Sequence, residues 1–384
     1  MNERSSDAQL VVLRGSLPMD RVLSLEDLLD AVLHQLGAPP VAVARTCTAW
    51  RTAWRRAQDR RLCFARSFSL PCSVNAISGV AGKLYLAQHG QVAIRDGAGN
   101  MADDIKLESL GCDPVDIISL TRGSNSALYV LVSRTCHSPK PWTRRRYIEQ
   151  HDVAEGTLTK RIEDPRIDDG SAGVRGDEKL AYGADRLYAL VYGADGLYAL
   201  LVFDASLEWV ETFASVCDGR VLDLVFHRRQ LFAVSDQEWP NGKRVGTALS
   251  IISLKGERLR SIALGDFQPG SMTSDGEFLY LLEENDADAA NEGVFASQRI
   301  REINHEGEVR EEITSADLPD ESTTYSFVDH DDDPPERVTV RSHMCGLHGD
   351  PASRSLYVAD WACRRVHVWS RTQAQAETSR TLDR

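Results

Sequence analysis

A chain of 384 residues, 42% of them hydrophobic and 26% charged, has ordinary globular usage and exceeds what one small core requires. Its net charge of -13 is unevenly spread: residues 1–70 hold 10 arginines against 7 acids, a net of +3, which leaves -16 for the remainder. An acidic body disfavours generic nucleic-acid binding, and no apolar run approaches the ~18 residues of a membrane-spanning helix.

Met1 to Leu13 carries Glu3 and Asp7 and lacks the apolar stretch of a secretory signal. Eight cysteines without a Cys-x-x-Cys pair read as reduced thiols, so a cytoplasmic or nuclear location is expected. Residues 1–18 are expected to be disordered and 19–60 to form a small helical module. Within it Leu25, Leu28, Leu29, Val32, Leu33 and Leu36 recur at helical steps and line one apolar face. Ser24 is the predicted N-cap, and Gly37 followed by Pro39 and Pro40 ends the helix. A second helix follows, with Val41, Val43, Ala44, Cys47, Trp50 and Trp54 facing inward and Arg45, Arg51, Arg55 and Arg56 on the other side.

The string from Ser24 to Trp50 resembles an F-box, the helical module that docks on the Skp adaptor of cullin ubiquitin ligases. The resemblance rests on Leu28, Leu29, Val32, Leu33 and Leu36, then on Cys47-x-x-Trp50. It implies that Leu28, Leu29, Val32, Leu33, Leu36 and Trp50 bind the adaptor. Where F-boxes usually open with Leu-Pro, Ser24-Leu25 stands here.

From Cys63 the pattern changes to short strands broken by Gly, Asp and Asn. A unit of Leu or Phe, an aromatic and further aliphatics recurs six times, with its aromatic at Tyr85, Tyr129, Tyr188, Phe232, Tyr280 and Tyr357. The gaps of 44, 59, 44, 48 and 77 residues mostly suit propeller blades of ~40 to 50 residues. An insertion near Thr135 to Arg145 is expected to lengthen the second interval. The last interval contains the acidic segment Asp329 to Glu336, an expected exposed loop.

Blade three is predicted strand by strand: Lys179 to Tyr182, Arg186 to Tyr192, Leu197 to Phe203 and Glu208 to Phe213. Residues Gly346 to Trp369 resemble an NHL-type repeat, which implies that Asp360 and Arg365 tie adjacent strands together. Blade six then has three strands, at His343 to His348, Leu356 to Asp360 and Arg365 to Trp369. Its missing outer strand is expected from Cys63 to Leu70, whose alternation of apolar and polar residues suits a strand that closes the ring. The propeller is thus bounded at 61–371, with a flexible tail at 372–384. Seven blades is the alternative, if Thr323 to Val340 holds further strands.

Candidate chemistry is sparse. His343, Cys345, His348 and Asp350 are the richest set of metal-capable side chains, but strand alternation sends 343 and 345 to one face and 348 to the other. Half-buried turn residues are the expected role. Glu283, Glu284, Asn285, Asp286 and Asp288 lack EF-hand spacing and read as a solvated hairpin loop. Lys140 to Arg146, with Trp142 among basic residues, could stack a base but reads as an exposed hairpin tip. Neither a metal nor another cofactor is expected.

The fold class expected is mostly β: a six-bladed β-propeller behind an F-box-like helical module. By resemblance the function is non-enzymatic substrate reception for a Skp–cullin ubiquitin ligase, with a protein target on a propeller face. The alternatives are a scaffold without a ligase link, or a metal-dependent propeller hydrolase with a Glu/Asn/Asp set on the central axis.

Overall fold

The computed structural model describes residues 62–80, 82–88, 90–102, 105–106, 115–124, 126–136, 143–167, 178–192, 198–214, 217, 219–238, 244–265, 267–284, 298–304, 306–314, 323–327, 336–340 and 343–371. The F-box-like stretch, with Leu28, Leu29, Val32, Leu33, Leu36 and Trp50, lies outside them, as do the two expected loose termini. All described residues belong to one compact unit, Leu62–Arg380.

Short strands, the second of each blade buried along most of its length and the outermost more exposed, are joined by tight polar turns into six four-stranded antiparallel sheets. Blade one is Ala76–Val80, Lys83–Gln88, Gln91–Asp96 and Ile105–Lys106. Blade two is Val115–Arg122, Ala127–Cys136, Thr143–Asp152 and Thr157–Ile162. Blade three is Lys179–Gly183, Arg186–Tyr192, Tyr198–Asp204 and Trp209–Ala214, within a residue or so of the expected bounds. Blade four is Arg220–His227, Gln230–Glu238, Arg244–Ile252 and Arg258–Gly265. Blade five is Gln268–Ser274, Leu279–Glu284, Gln298–Ile303 and Val309–Thr314. Blade six takes Met344–Asp350, Ser355–Asp360 and Arg365–Ser370 from the end of the chain and Cys63–Ser69 from much earlier.

The first strand of each blade neighbours that of the next, and the sixth neighbours the first, so the blades stand in a closed ring. The core repeats the same cycle. Six apolar clusters each straddle two consecutive blades, from Tyr85 with Val130 between blades one and two to Leu86 with Val366 between six and one. All six repeat aromatics are buried, none more than 4% exposed. Wedge-shaped gaps between radial sheets need a large side chain, which the recurrent Tyr or Phe supplies.

Closure follows the expected pairing. Cys63–Ser69 runs antiparallel to Arg365–Ser370, with Phe64 opposite Trp369 and Phe68 opposite Val366. Thr323–Phe327 and Glu336–Val340 do form strands, but they pair with each other in a separate two-stranded sheet, so the described residues make six blades and not seven.

The third-to-fourth-strand turns hold a second repeat. Asp96, Asp152, Asp204, Ser253 and Asn304 each accept backbone N–H groups two to four residues ahead. Gly99, in the first of these turns, has φ of 91° and packs so closely on the Phe68 ring of the closing strand that a methyl group would overlap it. The borrowed strand is therefore seated by its neighbour much as Phe213 of blade three is seated by Gly256.

Candidate functional site

The first strand of a blade is a sheet edge, so half of its backbone polar groups lack a ladder partner. Its side chains divide the task by direction. Ile77, Leu120, Leu180, Leu224, Met272 and Leu347, one per blade, are buried in the six clusters that join each blade to the one before. The neighbouring positions Ala76, Ser119, Lys179, Asp223, Ser271 and Gly346 are small or polar and line an axial cavity of about 140 Å³. Four blades reach this level through a β-bulge, between Ile117 and Ser119, Val221 and Asp223, Pro269 and Ser271, and Met344 and Gly346.

Several of these polar groups cap the next blade's edge. Ser119 Oγ accepts the Leu180 amide at 3.1 Å, Asp223 Oδ2 accepts that of Met272 at 2.6 Å, and Thr273 Oγ1 accepts that of Gly349 at 3.0 Å. At the seam between blades six and one, Cys345 Sγ donates to the Val74 carbonyl at 3.0 Å. Burial raises the Asp223 carboxyl above the ordinary carboxylate range, against the pull of Lys179 and of the amides it accepts. Burial likewise pushes the Cys345 thiol up to about 12, which keeps it protonated and unreactive.

Cys345 and His348 are thus seam residues rather than the turn residues expected. His348 stacks on Tyr357 with ring centroids 6.0 Å apart and fills the space that a side chain at Gly79 would take. His343 lies 4.0 Å from Glu284. Among the described residues no three His, Cys, Asp or Glu side chains are grouped to hold a metal ion, and Asp223 is the one carboxylate lining the cavity. Burial lowers the His348 imidazole to about 4. The neutral ring is then the folded form, and its contribution is complete above the unfolded value near 6.5 and is lost as pH falls toward 4. The site is worth at most about 3 kcal/mol. Urea unfolding of wild type and His348→Gln between pH 7 and 4 is expected to show a shallower loss of stability in the variant.

Glu283 is not part of a solvated loop. It is fully buried, held by Arg299 at 2.8 Å and by Arg301 of the adjacent strand, so its oxygens are engaged without calcium. Of the other calcium candidates, Glu284 ends the same strand, while Asn285, Asp286 and Asp288 lie outside the described residues. The basic insertion is also not a simple hairpin tip: Thr143 to Arg146 begin a ten-residue strand, and Arg146 is buried in an ion pair with Glu178 at 2.7 Å. Asp360 of the last blade is buried and engaged by its neighbours. It accepts the His343 and Cys363 amides at 3.1 and 2.9 Å and contacts the His367 ring at 3.2 Å, and in register it faces Arg365.

The turn geometry holds one feature that composition does not announce. Arg228 and Arg229 form the two-residue turn between His227 and Gln230 with φ of 46° and 65°, and Arg354 has φ of 51°. Left-handed backbone favours Gly or Asn and costs other residues about 1 kcal/mol each.

No family model and no curated protein matches the chain. Similar solved structures include the Pan2 WD40 domain of Neurospora crassa, 9% identical with a TM-score of 0.49, covering 82% of this chain and 97% of that one. A chain of the mitotic checkpoint complex is 13% identical with a TM-score of 0.47, covering 81% and 93%. Raptor of Chaetomium thermophilum is 10% identical with a TM-score of 0.46, covering 81% of this chain and 29% of that one. The assignment of a six-bladed propeller stands on the strand pairing and the closed cycle of cores.

Proposed function

We propose that this chain is a non-enzymatic protein-interaction receptor of the cytoplasm or nucleus. In this reading its F-box-like module docks on a Skp-type adaptor of a cullin ubiquitin ligase, and its propeller, built of NHL-like repeats, holds a protein target. The observation that carries it is the use of the axial polar groups. Ser119, Asp223, Thr273 and Cys345 are spent on capping neighbouring strands around a cavity of about 140 Å³. Such an axis suits a wheel that binds through its faces. A receptor of this kind raises the effective concentration of a target beside the ligase and breaks no bond itself.

Retention of the chain by the purified Skp adaptor tests the ligase half. Wild type is expected to be held and Leu33→Asp released, because a carboxylate in an apolar helix face opposes docking. Equal retention of both would remove the leucine face as the docking surface.

A further inference from the structure

In every blade the first and third strands run the same way, so the turns that follow them emerge on one face of the wheel. Turns after first strands lie near the axis, and turns after third strands lie toward the outside. The inner turns expose Lys83, Arg122, Arg228, Arg229 and Arg354, against Asp185 and Glu277. The outer turns reverse the sign: Glu155, Glu208, Glu257, Glu306 and Glu308 are exposed, against Lys255 and Arg258, with Glu208 paired to Lys160 at 2.6 Å. A mainly basic inner set, from blades one, two, four and six, thus sits within a mainly acidic outer set from blades two to five, on a body whose net charge is strongly negative.

We propose that this basic inner set docks a short acidic segment of a partner protein, an inference that rests on reading the propeller as a protein receptor. Charge complementarity supplies the attraction, and the acidic outer set limits the size of the ligand. An extended phosphate backbone crossing the face would pass over Glu208, Glu257 and Glu306 and be repelled at Debye-length range. A segment of a few acidic residues entering along the axis meets the arginines first, with Lys179 lining the cavity beneath. The arginines are also positioned against local preference. Arg228 and Arg229, like Ala184 and Asp185 in blade three, occupy a left-handed turn that Asn-Gly would fill with less strain. Arg228 donates to the Gly276 carbonyl of the next blade at 3.5 Å, and Arg354 stands 4.0 Å from Glu277 of that same turn, which brings blades four and six toward blade five.

Fluorescence anisotropy of a labelled oligoglutamate peptide with the full chain tests the proposal, with oligoglutamine and oligouridine as comparison probes. Wild type is expected to bind oligoglutamate above both comparison probes, more weakly as salt rises. Arg228→Asn/Arg229→Gly is expected to bind it ~tenfold more weakly, the loss of two exposed charges, while its unfolding midpoint stays level or rises. Unchanged affinity in that variant, absence of oligoglutamate binding by wild type, or tighter binding of oligouridine would each overturn the docking site. Adaptor retention reads the receptor proposal separately: its loss with peptide binding intact overturns that reading alone.

Discussion

Removal of residues 1–70 is expected to abolish cooperative unfolding, whereas removal of residues 1–61 leaves it intact. The nine residues that separate the two truncations hold the closing strand. Without it Phe64, Phe68 and Leu70 are lost, and Val366, Val368 and Trp369 face an unpaired sheet edge. Three partly or fully buried apolar side chains at about 1 to 3 kcal/mol each, with a strand of backbone pairing, approach the ~5–15 kcal/mol that holds an ordinary domain. The seat for Phe68 on Gly99 in blade one is lost as well, so the damage spreads to the next blade. Circular dichroism during thermal unfolding reads the difference. A truncation at 70 that still melted in one sharp step would show that the ring does not depend on its borrowed strand.

Trp369→Ala is expected to cost about 3 to 5 kcal/mol, against about 0.5 kcal/mol or less for Trp361→Ala. Trp369 is 1% exposed, meets Phe64 edge-on with centroids 5.6 Å apart, and fills the cluster between blades five and six with Leu356 and Ile300. Trp361, 44% exposed in a turn of the same blade, has no such surroundings. Urea unfolding of the two variants checks the contrast. Equal effects would mean that the seam between blades five and six is looser than the packing indicates.

Much of the wheel is legible in the sequence because its parts obey local rules. The six aromatics mark second strands since each must fill the same wedge, and the alternation in Cys63 to Leu70 suits an outer strand with one face on a core. The turn repeat led by Asp96, Asp152 and Asp204 is equally visible in the letters. The axis is harder to foresee. Bulges at Ile118, Leu222, Gly270 and Cys345 carry no common residue type, and a bulge shifts which neighbours point at the cavity. That shift is why Cys345 reaches Val74 across the seam and does not join His343. The burial of Glu283 was likewise hidden, because its partners Arg299 and Arg301 follow an intervening stretch of chain and meet it only through strand pairing. A group of basic turns becomes recognisable once the blades set those turns around one mouth.

The most direct test of the ring is a covalent one. Ser69 and Arg365 face each other across the closing pair, and opposed antiparallel residues stand about 4.5–5.5 Å apart at Cα, within the ~4.4–6.8 Å that a disulfide spans. In oxidised Ser69→Cys/Arg365→Cys, mass spectrometry of an unreduced digest is expected to find the two positions joined, in a protein that unfolds at a higher temperature than its reduced form. Native protein in which these cysteines stay unlinked while the fold persists would contradict closure by the early strand.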